Sequence, residues 1–249
     1  MGTRRTRRFW LCWALALAVT AVWTISTSPV QTSQPVGGAA HGSYVALTFD
    51  DGPWPGTTNA LLDGLAQRGV KATFFLVGEQ VADRAETVRR MADEGHQIGL
   101  HTWHHVSLKG MTPDQITSQL DQTRAAIREI VGPVDLMLRP PYGFVDDTLR
   151  QWAKAPIICW SLDTEDWKDP TPSRITADIL RQVKDGDIIL MHDIFDTSVT
   201  AALAAVDQLL AQGYQLVTVE ELFAQRGQDP QPGAVYCSLP PAQKEEVEP

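Results

Sequence analysis

From Tyr44 onward the chain repeats one unit, a short β-rich run followed by a segment with helical spacing, and this repetition narrows the choice of fold more than any other feature. Seven such runs are present: "YVALTF", "ATFFLV", "HQIGLH", "DLMLR", "PIICWSL", "DIILMH" and "YQLVTV". Helical spacing is expected over 58–68, 81–94, 113–130, 175–184 and 199–212. Thr112 and Ser173 are suited to cap helix starts, and Gly69, Gly95, Gly132 and Gly213 stand where helices should stop. Strands alternating with helices require parallel pairing and right-handed crossovers, which leaves an open doubly wound sheet or a barrel. The first strand is followed by no glycine-rich phosphate loop, which argues against a dinucleotide site.

The ends of the chain read differently. Arg4, Arg5, Arg7 and Arg8 precede an apolar run from Phe9 to Ile25, the layout of an export signal, with 1–28 serving as a cleaved signal peptide or as a retained membrane anchor. Residues 29–43 have a linker's composition, 44–225 hold the folded domain, and 226–249 are rich in Pro, Gln and Glu and expected to be mostly irregular, lying first against the domain. An exported, extracytoplasmic protein follows, either secreted or anchored, and a monomer is expected. The formal charge of −9, with four of the 21 basic residues confined to the first eight positions, argues against a nucleic-acid partner. Three cysteines, Cys12, Cys159 and Cys237, have no zinc or redox spacing; Cys159 reads as a small core thiol, although a bridge to Cys237 is conceivable.

Ionisable residues collect where the strands end: "TFDDGP" after the first, "HTWHH" after the third, "RPPYG" after the fourth, "DTEDW" after the fifth and "MHD" at the sixth. In both candidate architectures the carboxyl ends of the strands are where sites are built. His101 and His105 are four residues apart, one helical turn, so both imidazoles can face one ion. Two histidines and one carboxylate leave a position open for water. Asp50 and Asp51 are adjacent, and along a straight strand they would face opposite ways; the Gly52-Pro53 bend allows both to approach one site, one binding metal while the other takes a proton. Arg139 beside a stiff Pro-Pro turn can hold a carboxylate ionised, the Tyr142 N–H can donate to an oxyanion, and His192 can deliver a proton with Asp163 or Asp166 tuning it. Each motif also has a bland reading as turn chemistry, a sealed barrel mouth or a satisfied histidine, and only their coincidence at one sheet edge points to a site.

Taken together, "TFDDGP", "HTWHH", "RPPYG", "DTEDW" and "LMH" in this order resemble the five motifs of the polysaccharide deacetylases of the NodB-homology type, carbohydrate esterases that remove N- or O-linked acetyl groups. The resemblance covers about 44–223 and implies a deformed (β/α) barrel of about seven parallel strands. It implies Asp51, His101 and His105 as ligands of a divalent metal, zinc first, with cobalt or nickel as alternatives. Asp50 would be the base, oriented by Arg139, and His192 the acid, supported by Asp163. Asp166 and Trp167 would shape the groove wall, Leu190 the acetyl-methyl pocket, and Thr102 would hold the His105 loop. Leu138 stands where family members often carry an aromatic residue. Trp54, Trp103 and Trp167 adjoin motif residues and are candidates for stacking on sugar rings, whereas Trp152 and Trp160 read as core. The implied reaction is N-deacetylation of GlcNAc-type units of an acetylated polysaccharide, peptidoglycan first, with chitin, biofilm glycan or O-acetylated xylan as alternatives. A glycoside hydrolase would leave His101, His105 and Arg139 without a purpose, and a purely structural metal site would be closed by a fourth protein ligand.

Overall fold

A computed structural model describes residues 42–241. The expected signal or anchor at 1–28, most of the linker and the last part of the tail, 242–249, lie outside the described residues. Among the described residues no helix is long and apolar enough to cross a membrane.

The strands are β1 (Tyr44–Asp50), β2 (Thr73–Leu76), β3 (Gln97–Leu100), β4 (Ile157–Ile158), β5 (Leu162–Asp163), β6 (Ile188–His192), β7 (Gln215–Val217) and β8 (Val235–Tyr236). The helices are α1 (Pro55–Arg68), α2 (Gly78–Val81), α3 (Ala85–Asp93), α4 (Pro113–Val131), α5 (Asp147–Trp152), α6 (Pro172–Gln182), α7 (Asp196–Ala211) and α8 (Val219–Gln225). The main sheet runs β3-β2-β1-β6-β5 with every ladder parallel, and β7 pairs with the first half of β1. Leu138 bridges Leu100 on one side and Ile157 on the other, carrying the wall on to β4, which pairs with β8. Among the described residues no ladder joins β4 to β5, so the barrel is open there.

The expected alternation is therefore correct, with three departures. "DLMLR" contributes only the Leu138 bridge, and "PIICWSL" divides into β4 and β5. The expected helix over 81–94 is broken into α2, a 3-10 turn at Ala82–Arg84 and α3. The tail, expected to be mostly irregular and to lie first against the domain, does pack there through Leu239 but also supplies β8. Thr112 caps α4 in a capping box with Gln115, worth about 1 kcal/mol. Ser173 lies inside α6, whose N-cap is Thr171 because Pro172 fits the first helical position.

Alternation along β1 separates two cores. Val45, Leu47 and Phe49 pack outward with the helix layer, among them Leu61, Leu62, Val206 and Leu209. Ala46 points inward with Phe75, Met137, Ile158, Ile188, Val219, Phe223 and Leu239. Thr48 and Asp50 share the inward parity of Ala46. The interior thus changes along one strand from apolar Ala46, through the hydroxyl of Thr48, to the carboxylate of Asp50.

Candidate active site

Asp50 ends β1 and is 3% exposed. Its Oδ1 accepts from Arg139 Nη1 at 2.9 Å. Arg139 is fully buried, and its other donors are used as well: Nη1 also reaches Thr48 Oγ1 at 2.6 Å, Nε reaches the Ile158 carbonyl at 3.1 Å and Nη2 the Cys159 carbonyl at 3.0 Å. The guanidinium lies 4.3 Å from the centre of the Phe75 ring. Four hydrogen bonds fix this cation, and breaking a buried pair by removing one partner costs several kcal/mol. Asp50 is therefore held in one orientation by a neighbour that cannot move.

Asp51 reaches the same site because the chain turns at Asp51 itself, which adopts a left-handed conformation with φ of 74°. The reversal comes one residue before the Gly52-Pro53 bend expected to produce it. Asp51 Oδ1 lies 3.3 Å from His101 Nε2 and 3.1 Å from His105 Nε2. "HTWHH" is not helical, so the expected helical turn is wrong; Thr102 and His105 have φ of 63° and 53°, and the Val106 N–H donates to Thr102 Oγ1 at 3.2 Å, closing the loop. This loop does bring the two imidazoles together, with ring centres 5.0 Å apart.

One ligand atom from each of Asp51, His101 and His105 lies within 4.8 Å of the others. His101 Nδ1 faces the Arg139 carbonyl at 2.7 Å and donates to it as an N–H, which turns the Nε2 lone pair toward Asp51. Asp51 Oδ1 is buried and has no well-aligned hydrogen-bond partner. Converging acceptors of this kind repel one another unless a cation lies between them, and two imidazoles with one carboxylate suit an ion that keeps a position open. Burial alone would raise the Asp51 pKa, but the close His101 and His105 imidazoles outweigh it and hold the carboxylate well below its ordinary range. His105 is raised, chiefly by Asp51. The three residues fit a divalent metal.

Across the cavity, His192 ends β6 and is the register partner of Asp50, so these two side chains leave adjacent strands about 4.8 Å apart. Its Nδ1 faces Asp166 Oδ1 at 2.7 Å, and its backbone N–H donates to Asp166 Oδ2 at 2.9 Å. Burial would lower the His192 pKa, but the Asp166 hydrogen bond and the charges of Asp166, Asp50 and Asp51 prevail and push it up to about 9. Burial would likewise raise Asp166, and its bonds to His192 bring it down instead.

This corrects two assignments. Asp163 does not support His192: it is exposed, and its Oδ1 accepts from the Glu165 N–H at 2.9 Å. Asp166 does not form the groove wall but is fully buried beneath His192. The cause is Glu165, whose φ of 47° reverses the chain after β5 and turns Asp166 inward.

The cavity measures ≈ 430 Å³. Besides the ionisable groups it is lined by Tyr142, Trp160, Trp167, Leu190 and Phe195. Trp167 and Leu190 both face this cavity, and the Tyr142 ring also packs edge-on to His105 with centres 5.2 Å apart. Trp103 is not in the groove; it is half-buried against Gly78, and its backbone N–H donates to Gln119 Oε1. Trp54 lies outside the cavity lining, exposed, with the Arg84 guanidinium 5.0 Å from its ring centre. Trp160, expected in the core, lines the cavity, and Trp152 is 36% exposed rather than buried. A larger cavity of ≈ 550 Å³ at the amino ends of the strands, lined by residues such as Met137, Lys154 and Phe223, holds no comparable cluster.

Asp193 escaped the sequence reading although it sits in "MHD". Burial pushes its carboxyl up to about 7, Thr58 Oγ1 donates to it, and a Cβ on Gly52 would lie 2.5 Å from its oxygens. Only glycine fits there, so Asp193 braces the turn that presents Asp51. Phe195, edge-on to His192 at 6.4 Å, was also missed, because an aromatic three residues past a histidine carries no distinguishing pattern.

Residues 37–156 match the family model "Polysaccharide deacetylase". The chain is 34% identical over 208 residues to a peptidoglycan-N-acetylglucosamine deacetylase of Bacillus cereus, an alignment covering 81% of this chain and 76% of the relative. The chain belongs to the polysaccharide deacetylase family. It is also 43% identical to the peptidoglycan-N-acetylmuramic acid deacetylase PdaC of Bacillus subtilis, over 72% of this chain but only 38% of that protein. Several of the curated relatives are thus much longer than the shared region. Among solved structures, a family 4 acetyl xylan esterase from Clostridium thermocellum in complex with a cobalt ion superposes with a TM-score of 0.76 at 35% identity, covering 79% of this chain and 99% of that one. The deformed barrel anticipated from the motifs is therefore the fold of this family.

Proposed function

We propose that the protein is a metal-dependent deacetylase that removes N-acetyl groups from amino-sugar units of cell-wall peptidoglycan, releasing acetate and a free amine. The observation that carries this reading is the pairing of Asp50 and His192 as register partners beside the Asp51–His101–His105 cluster. A base and an acid on adjacent strand ends, with a cation site next to them, suit hydrolysis of an amide.

Asp51, His101 and His105 would hold the ion, zinc by preference, and its chemistry when bound is Lewis-acid polarisation of the acetyl carbonyl and activation of water. Asp50, aimed by Arg139, takes the proton from the attacking water. The Tyr142 N–H, in a turn held left-handed with φ of 65°, donates to the developing oxyanion. His192, protonated at neutral pH and anchored through Nδ1 by Asp166, presents Nε2 to the leaving nitrogen and protonates it. Leu190 receives the acetyl methyl group, and Trp160, Trp167 and Phe195 offer ring faces to the sugar. Asp163, exposed on the lining, remains available for a sugar hydroxyl rather than for His192. We place the protein outside the cytoplasm, secreted or anchored through 1–28, acting as a monomer.

The test is acetate release from a panel of purified peptidoglycan, acetylated chitooligosaccharides and acetylated xylan, with the deacetylated sugar identified by mass spectrometry. Release from peptidoglycan supports the reading. Release confined to xylan would move the protein to O-acetyl ester hydrolysis, the activity named for the Clostridium thermocellum neighbour.

A further inference from the structure

The two thiols among the described residues take no part in the site, yet they are placed together. β4 and β8 are parallel, with Ile157 opposite Val235 and Ile158 opposite Tyr236. One step further in the same register, Cys159 lies opposite Cys237, and the Cys159 N–H donates to the Tyr236 carbonyl at 2.8 Å. In a parallel ladder, residues in register project to the same face of the sheet. Neighbouring strands are about 4.8 Å apart, within the roughly 4.4–6.8 Å that a disulfide spans between Cα atoms. Cys237 is exposed and Cys159 half-buried. Burial, together with the adjacent Cys237, pushes the Cys159 thiol up to about 11, which leaves the exposed Cys237 as the thiol that reacts first.

We propose that Cys159 and Cys237 form a disulfide that fastens the carboxyl-terminal tail to the wall of the barrel. The step needs a disulfide-bearing oxidant, such as a small-molecule or protein disulfide. The Cys237 thiolate attacks one of its sulfurs and expels the other as a thiol. The Cys159 thiolate then attacks Cys237 sulfur and expels the second thiol. Two protein thiols lose two electrons and two protons, and the oxidant gains both. The bond closes a long loop, including α6, β6, α7 and α8, where cross-linking constrains the unfolded chain most. It also lies next to the catalytic wall, because the Ile158 and Cys159 carbonyls hold the Arg139 side chain. Leu239, two residues beyond Cys237, is buried in the inner core, so the same bond secures the plug at the barrel floor.

The experiment uses the full chain carrying Cys12→Ser, so that only these two thiols remain. It is incubated with oxidised glutathione, alkylated, digested and analysed by mass spectrometry, and its Tm is measured with and without dithiothreitol. The expected result is a peptide linked through Cys159 and Cys237, with a dithiothreitol-reversible rise in Tm of roughly 5–10 °C. Adding Cys237→Ser to this background should abolish the rise. A stable glutathione adduct on Cys237, or two alkylated thiols after oxidation, would overturn the proposal. A linked peptide without a rise in Tm would overturn the claim that the bond fastens the tail. The linkage is read on a chain that keeps both thiols, so it does not depend on how well the serine variant folds.

Discussion

The site contains two aspartate–histidine groupings, and they are built in opposite ways. At the ends of β1 and β3, Asp51, His101 and His105 converge with their lone pairs inward, and Asp51 Oδ1 is left without an aligned donor. At the end of β6, Asp166 spends both carboxylate oxygens on His192, one on Nδ1 and one on its backbone N–H. The first grouping leaves its lone pairs open and fits a cation, and the second has its hydrogen bonds closed. In the proposed reading the same residue types serve as a metal site or as an acid according to whether the hydrogen bonds are left open or closed.

The comparison is broken most severely by removing the ion. Chelation should abolish acetate release, and zinc, cobalt or nickel should restore it, whereas no divalent ion should be needed to keep His192 paired with Asp166; metal titration followed by activity measures the first, and the imidazole NMR signals the second. Next in size is His192→Ala, which removes the proton donor and should lower kcat by roughly 10²–10⁴-fold with little change in metal content.

Asp166→Asn separates positioning from proton supply. His192 is raised by Asp166, so it is protonated below about pH 9 and loses its proton as pH rises through that value. Replacing Asp166 should move the alkaline limb of kcat/KM to lower pH and cost about 10–100-fold in rate. Addition of metal to the wild-type protein should lower the same pKa, because a cation offsets the Asp51 charge that helps to raise it. An unchanged alkaline limb in Asp166→Asn would remove Asp166 from this role. The smallest effect is expected at the aromatic lining: Trp160→Ala or Phe195→Ala should raise KM several-fold and leave metal affinity and the pH profile in place.

How much of this was legible in the sequence follows the same division. Residues at strand ends could be read directly, because a period of two and a strand's carboxyl terminus determine where Asp50 and His192 point. Residues beyond the strand ends could not, because backbone reversals decide them. Glu165 with positive φ exchanged the roles of Asp163 and Asp166, and Thr102 and His105 with positive φ made a loop of what the four-residue spacing presents as a helical turn. Trp160 was misread for a related reason. It lies in the gap between β4 and β5, where the wall is open and an apolar residue faces the cavity instead of the core. Asp193 carried a signal, an acid directly following a site histidine, that is ambiguous until the close approach of Gly52 is known.

The central claim is that two adjacent aspartates, the second of them left-handed, divide the work: Asp51 belongs to the cation and Asp50 to the proton. Metal content and acetate release measured side by side on Asp51→Ala and Asp50→Ala test it most directly. The account predicts that Asp51→Ala loses the bound metal, whereas Asp50→Ala keeps it at near-stoichiometric occupancy and loses roughly 10²–10⁴-fold in turnover. Loss of metal from Asp50→Ala, or undiminished turnover in either variant, would contradict it.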